Sequence, residues 1–230
     1  MHGHSVVVGP DRYPWRHTGW RGRPWQDSVI YEAHAGLCGG YAGLRRRLPE
    51  VARLGVTLLE LMPIADFPGP RNWGYDGVLP YAPDTAYGTP DELKALIDAA
   101  HGLEMGVMLD VVYNHFGPDG NYLHRYAADF FDARADTPWG AAIDYRQQAV
   151  QRYFIDNALY WLRKYRFDGL RLDAVHAMGR TDWLAGLARE ARAACPDRRV
   201  HYAQAPAALL ARALGEGYVY QGQAAPTRGG

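Results

Sequence analysis

The sequence predicts an α/β fold: about the first half of a (β/α)8 TIM barrel, with a lid or subdomain inserted after the third strand. Three observations predict it. From Ser28 onward, short apolar runs alternate with amphipathic stretches, giving the order strand, helix, strand, helix. The runs are almost continuously apolar, which suits parallel strands covered on both faces. Polar residues gather after successive runs, at Glu60, at Tyr75–Asp76, from Asp110 to His115 and from Asp173 to His176. Chemistry drawn from several strand ends is the habit of a barrel. A doubly wound sheet is the other solution for such an order, but Cys38-Gly39-Gly40 after the first run opens no dinucleotide-binding pattern.

Residues 1–26 precede this alternation and carry Trp15, Trp20 and Trp25 among turn formers, with no helical or alternating period. They read as a connector arm whose tryptophans pack against the next domain rather than stack on sugar. Residues 27–203 form the partial barrel. Within it, SVIYEAH (28–34) is β-branched and aromatic, a buried strand. Residues 43–55 place Leu44, Leu48, Val51 and Leu54 at helical spacing, with arginines opposite and Gly55 as the stop. TLLELMP (57–63) is a second buried run, ended by Pro63. Residues 89–104 open with Thr89 as N-cap, Pro90 at the first helical position and Glu92 three residues after the cap.

VMLDVVYNH (107–115) is the third strand, and residues 116–147 are the insert. A long helix over 148–165 turns Val150, Phe154, Ala158, Leu159 and Leu162 inward. DGLRLDAV (168–175) is the fourth strand, 181–194 another capped helix, and 198–203 the start of a fifth strand. A closed barrel needs eight strands in about 250 residues, so this one is incomplete. Residues 204–230 hold one helical stretch and a Gly/Pro-rich end.

Composition narrows the partners. Twenty-five basic and 25 acidic side chains cancel, which leaves no footprint for nucleic acid. Lys94 and Lys164 are the only lysines among those cations. This arginine excess reads as genomic bias before phosphate recognition. Cys38 and Cys195 are isolated thiols that fit a reducing compartment. Three consecutive valines near the start are too few for a signal peptide or a membrane span, so a cytoplasmic location is expected. The excess of Trp and Tyr over Phe suits stacking on sugars and suits ordinary cores nearly as well.

DVVYNH (110–115) and GLRLDAVH (169–176) resemble the conserved regions of the alpha-amylase clan of glycoside hydrolases. ELMP (60–63), WGYDGVLPYAPDTAYG (73–88), FGPDGNYL (116–123) and TPWGAAIDY (137–145) narrow the resemblance to the malto-oligosyltrehalose trehalohydrolases. Glycogen-branching enzymes, which are α-glucan transferases, are the nearest alternative. The match runs from about Val6 to His201 and returns at 215–223. That return implies that residues 204–230 are a displaced tail from a later part of the barrel. The resemblance implies hydrolysis, with retention, of the α-1,4 bond next to trehalose in maltooligosyl trehalose. The partner it implies is therefore an α-1,4-glucan; no cofactor and no metal are expected.

The same resemblance implies roles for individual residues. Asp173 matches the nucleophile, which forms a glycosyl ester. His115 matches a histidine that hydrogen-bonds the glucose under attack, His176 one that meets the leaving sugar, and Tyr75 an aromatic platform; Asp76 is expected at sugar hydroxyls. Arg171, two residues before Asp173 in a strand, points to the same side and is expected to hold the carboxylate ionised. Trp73 is expected to pack its loop, and Asp110 and Asn114 to order the end of the third strand. No cluster of oxygen ligands is expected.

A retaining site also needs a second carboxyl group, about 5–5.5 Å from the first, as acid and then base. The resemblance places it after RRVH (198–201), where this chain continues YAQAPAALL. Gln204 is an amide and cannot shuttle a proton. Glu60 is expected to be a buried structural partner, Glu104 to sit on the opposite rim, and Glu216 to lack a strand that would position it. The later aspartate of the family, preceded by a histidine, has no match after Gln223. The sequence-based expectation is a copy with an internal deletion near Ala203–Gln204, an early end and no preceding sugar-binding module. Such a copy would be inactive, with sugar binding without chemistry or a non-functional fragment as its fate.

Overall fold

The computed structural model of the chain describes residues 7–9, 11–178, 180, 182–197, 199–203 and 219–221, the last two stretches as backbone only. Strand β1 (Ile30–Ala33) leads through a 3-10 turn into helix α1 (Gly40–Arg53). The helix starts three residues earlier than its apolar spacing predicts, because Gly39 and Gly40 both take positive φ and bend the chain sharply. A Cβ on Gly40 would lie 2.5 Å from the Tyr87 carbonyl oxygen, so only glycine allows this approach. Strand β2 (Leu58–Leu61) is buried along its whole length. The loop that follows folds into a small antiparallel pair, β3 (Ala65–Asp66) and β4 (Leu79–Pro83), which the apolar runs do not reveal.

Helix α2 (Pro90–Gly102) opens on the expected capping box. Glu92 N–H donates to the Thr89 hydroxyl at 3.2 Å, and Thr89 N–H donates to the Glu92 carboxylate at 2.8 Å. Strand β5 (Gly106–Val111) is wholly buried. The insert holds a one-turn helix α3 (Leu123–Tyr126) and a hairpin of β6 (Phe131–Thr137) and β7 (Gly140–Ile143). Helix α4 (Gln148–Lys164), strand β8 (Gly169–Leu172), helix α5 (Leu184–Ala194) and strand β9 (Arg199–Ala203) follow as expected in type and order. Helix α5 begins three residues later than expected and has no side-chain cap; Trp183 holds the N-cap position. A sixth strand, β10 (Val219–Gln221), lies in the stretch read as a tail and pairs with β9, with Tyr220 opposite Tyr202.

The six strands of the main sheet run parallel in the order β1-β2-β5-β8-β9-β10. Right-handed crossovers through α1, α2, α4 and α5 are what a parallel sheet requires. Leu44, Leu48, Leu59, Leu93, Ile97, Val107, Phe154, Ala158 and Leu170 fill the layer between helices and sheet with at most 1% exposure each. Burial of each such side chain contributes about 1.5–3 kcal/mol. Rings tie the insert to α4: Phe116 lies 5.8 Å from Phe130, and Phe130 lies 5.4 Å from Tyr153.

Two buried carboxylates hold the arm. Asp98 on α2 accepts from the backbone N–H groups of Arg16 and His17 at 3.1 and 3.0 Å and from the Tyr13 hydroxyl at 3.3 Å. Asp168, just before β8, accepts from the Trp20 indole at 2.7 Å and from Val107 N–H at 2.8 Å, and it pairs with His101 at 2.8 Å. Trp20 stacks on His101 with centroids 5.2 Å apart, and the Arg166 guanidinium covers Trp15 at 4.6 Å. These contacts lie at the N-terminal ends of the strands, across the sheet from Asp173.

Burial alone would raise the Asp98 carboxyl, but the donors from His17 and Arg16 hold it below its ordinary range. Its contribution is therefore present above the ordinary carboxylate range and is lost as pH falls through the depressed value. Asp98→Ala should lower stability by about 2–4 kcal/mol in urea unfolding and expose residues 13–20 to limited proteolysis. An unchanged urea midpoint with a protected arm would refute the clamp.

Candidate active site

Register builds the site. Asp110 on β5 and Arg171 on β8 are direct partners in the ladder, so their side chains leave the sheet side by side. Asp173 stands two residues beyond Arg171, on the same face because side chains repeat every second residue. The Arg171 guanidinium uses one nitrogen, Nη1, for two ion pairs: a short one to Asp110 and one of 3.0 Å to Asp173. Its Nε lies 3.9 Å from Glu60 on β2. The pairing expected between Arg171 and Asp173 is present, and it belongs to a larger network.

Donors complete that network. The Tyr75 hydroxyl donates to Asp110 Oδ2 at 3.0 Å. Asn114 donates through Nδ2 to the Asp173 carbonyl at 3.0 Å and approaches its carboxylate at 3.4 Å. Asp173 N–H donates to the Val111 carbonyl at 3.1 Å, which carries the β5–β8 ladder to the rim. Immediately afterwards Ala174 takes φ 42°, a left-handed conformation that is costly for a residue with a Cβ. That bend ends the strand and leaves the Asp173 side chain partly open to solvent.

Burial sets the charges. Glu60, 4% exposed, is pushed up to about 7 by burial, with Arg171 opposing and Glu32 assisting. Burial also lifts the Asp110 carboxyl well above its ordinary range, against the pull of Arg171. Burial holds the Tyr75 phenol up, assisted by the charge of Asp110. For His115, burial lowers the imidazole below its ordinary value, against a hydrogen bond at the Tyr75 backbone and the charge of Asp173. It is therefore a neutral ring at pH 7, able to donate from one nitrogen and accept at the other.

The remaining sequence-derived residues fall into two groups. His115 and Tyr75 border Asp110, Arg171 and Asp173. His176 is exposed in a 3-10 turn over Val175–Ala177, and Asp76 is exposed and accepts from Asn72 Nδ2 at 2.7 Å. Trp73 does not pack its loop, as its sequence context suggests, but is 74% exposed. Gly74 holds that loop instead, at φ 98°, with its α-carbon so close to the Pro63 carbonyl that a Cβ would sit 2.0 Å from the oxygen. The indole is left free to point outward.

Asn114, expected to order the end of the third strand, also touches Asp173 directly. Two further residues of the site escape sequence reasoning. Trp139, in the β6–β7 turn, stacks on the His115 ring with centroids 5.4 Å apart and planes 27° apart. Glu32 lies opposite Glu60 in the β1–β2 register, and one oxygen from each of Glu32, Glu60 and Asp110 falls within 4.8 Å of the others. This corrects the expectation of no oxygen cluster. Neighbouring strands bring together acids that lie 28 and 50 positions apart in the chain, a proximity that no linear spacing displays. The guanidinium of Arg171 lies against two of the three.

As for a second carboxyl at the rim, Glu104 is exposed and pairs with Arg23 at 3.3 Å on the opposite side. Glu60 is buried, as expected of a structural partner, and lies 3.9 Å from Arg171 Nε. Gln204 and Glu216 lie outside the described residues. Among the described residues, Asp173 is the carboxylate that combines a strand end, a cation and solvent access.

A family model for the alpha amylase catalytic domain matches residues 13–138, more than half of the chain. The chain belongs to the alpha-amylase family. It is 47% identical over 196 residues to a malto-oligosyltrehalose trehalohydrolase of Deinococcus radiodurans, covering 83% of this chain and 33% of that protein. Against a malto-oligosyltrehalose trehalohydrolase of Saccharolobus solfataricus the identity is 40% over 184 residues, covering 77% and 32%. Among solved structures, one described as an alpha amylase from Salmonella typhimurium superposes with a TM-score of 0.82 at 49% identity, over 86% of this chain and 35% of that one. The chain thus spans about a third of the length of the relatives it matches. No helix among the described residues is long and apolar enough to cross a membrane.

Two outcomes test the site's construction. Ala174→Gly should be neutral or stabilising by up to about 1 kcal/mol, whereas Ala174→Val should cost about 1–3 kcal/mol, because a β-branched residue resists the left-handed bend. Equal unfolding midpoints for the two variants would remove the bend from the account. Because the native Glu60 carboxyl titrates above its unfolded value, it stabilises fully below the ordinary carboxylate range, and that stability is lost as pH rises through about 7. Denaturant curves from pH 4.5 to 8 should show the decline in the native protein and a flatter profile in Glu60→Gln.

Proposed function

We propose that the chain carries the nucleophile side of a retaining α-glucan hydrolase site whose reaction is cleavage of the α-1,4 bond next to trehalose in maltooligosyl trehalose. The observation that carries this reading is Asp173, a partly solvated carboxylate at a strand end, paired with Arg171 at 3.0 Å and braced by Asn114. A carboxylate oxygen so placed attacks the anomeric carbon and forms a glycosyl ester as the leaving sugar departs. His115, neutral and held by Trp139, hydrogen-bonds the ring under attack, while Tyr75 gives it a face to stack on. His176 and Asp76, both exposed at the rim, reach hydroxyls of the flanking sugars.

Departure of the leaving sugar needs a proton, and among the described residues no carboxyl group faces Asp173 from across the cleft. In this reading the chain by itself does not turn over, and the insert over 116–147 closes over the glucan. Cytoplasmic action on an α-1,4-glucan is part of this proposal; the balanced charge and the relatives' name, malto-oligosyltrehalose trehalohydrolase, favour a glucan over nucleic acid as the partner. The nearest competing reaction, transfer of a glucan chain to form a branch, uses the same nucleophile and differs only in the acceptor.

A chimera separates these readings. Residues 7–203 of this chain would replace the matching third of the Deinococcus radiodurans relative, and products from maltooligosyl trehalose would be resolved by chromatography. Trehalose release that falls at least about 1,000-fold in Asp173→Ala is the expected result. Branched products without free trehalose, or trehalose release that survives Asp173→Ala, would overturn the proposal.

A further inference from the structure

Across the sheet from Asp173, a cavity of about 300 Å³ opens between the arm, the end of α4 and the Cys195–Asp197 turn. That volume is at the small end of ligand pockets. Arg21 lines it from the arm and Arg163 and Arg166 from the end of α4, together with the faces of Trp20 and Leu162.

Other permanent cations at this end of the molecule have an acid of their own: Arg23 pairs with Glu104 and Lys164 with Asp11. The three arginines of the cavity differ. Arg21 donates only to the carbonyls of Thr18 and Trp20, both at 3.3 Å. Arg163 is hydrogen-bonded to the Cys195 side chain, and Arg166 lies over the Trp15 ring. None of the three forms an ion pair with a carboxylate among the described residues, and Asp197 is the single acid in the lining. Arg163 stands in the last turn of α4, where the helix dipole accounts for one positive charge. It accounts for neither Arg21 on the arm nor Arg166 beyond the helix end.

We propose that this cavity binds a phosphate monoester or inorganic phosphate. A guanidinium is planar, permanently charged and presents paired donors, so three of them around one cavity suit the several oxygens of a tetrahedral anion better than a flat carboxylate. Trp20 and Leu162 supply an apolar wall that a small sugar carrying the phosphate would cover. Net neutrality of the whole chain makes this local excess a site rather than part of a general basic surface. Because the ligand touches the arm, α4 and the turn before β9, occupancy fastens the N-terminal segment to the barrel without contact with Asp173.

The test uses the whole chain at low ionic strength, with inorganic phosphate and glucose 6-phosphate as probes and glucose as the neutral control. Phosphorus NMR titration should show saturable binding with Kd on the order of 1 mM or tighter, weakened at least about 10-fold in Arg21→Gln/Arg163→Gln. Both substituted residues are exposed, so the fold is retained. A second readout locates the ligand: bound phosphate should slow alkylation of Cys195 by iodoacetamide and leave Cys38 unaffected. Tighter binding of glucose 6-phosphate than of phosphate assigns the site to a phosphosugar, and equal binding assigns it to the free anion. Failure to saturate by about 20 mM of either probe, an unchanged Kd in the double variant, or no selective protection of Cys195 would overturn the proposal.

Discussion

One guanidinium organises the rim where the parallel strands end. Arg171 stands between Asp110, Asp173 and Glu60 and is the positive charge that lets three acids occupy a largely buried space. An ion taken out of water costs several kcal/mol unless partners replace the solvent. Here the replacement is mutual: Asp110 is braced by Tyr75, Asp173 by Asn114, and Arg171 by all three carboxylates. Removal of one member strands the others, so the group behaves as a unit. Its energetic role is to fix geometry, since a buried ion network gives little net stability against an apolar core of equal volume.

The rest of the fold serves that arrangement. Parallel pairing sets Asp110 opposite Arg171 and Glu32 opposite Glu60, and the helices that cross between strands hold those registers by burying leucine and phenylalanine on the other face. The left-handed Ala174 ends β8 one residue after Asp173, which frees the carboxylate from the ladder without moving its backbone. The loop that carries Tyr75 returns to the cleft because Gly74 can lie against Pro63. At the far end, Asp98 and Asp168 play a comparable part for the arm, each accepting several donors from segments distant in the chain.

What could be read from the chain and what could not divides along physical lines. Helices and strands whose apolar period is long and whose ends carry punctuation are legible: Thr89-Pro90 with Glu92 announces α2, and the run after Gly106 announces β5. Asp173 and its partner Arg171 are legible because a spacing of two in a strand is a local fact. The stacking of Trp139 on His115 depends on how the insert folds back, and the Glu32–Glu60–Asp110 cluster depends on register between strands, so neither is a local fact. Two-residue strands such as β3 carry too little pattern to stand out. Trp73 misleads because an indole in a loop is usually packed, and here the glycine beside it does the packing. Strand β10 shows that even a segment read as a tail joins the sheet when its backbone can extend the ladder.

The proposed role of Asp173 as nucleophile makes a distinctive chemical prediction. The fluoride of a glycosyl fluoride leaves without needing protonation, so its reaction does not depend on a general acid and reports on Asp173 alone. Incubation with 5-fluoro-α-maltosyl fluoride, followed by peptide mass spectrometry, is the most direct measurement of the central claim. A stable ester on Asp173, formed in the native chain and abolished in Asp173→Asn, is the result predicted. An unlabelled Asp173, or a label on another carboxylate, would contradict the assignment of that residue as the nucleophile.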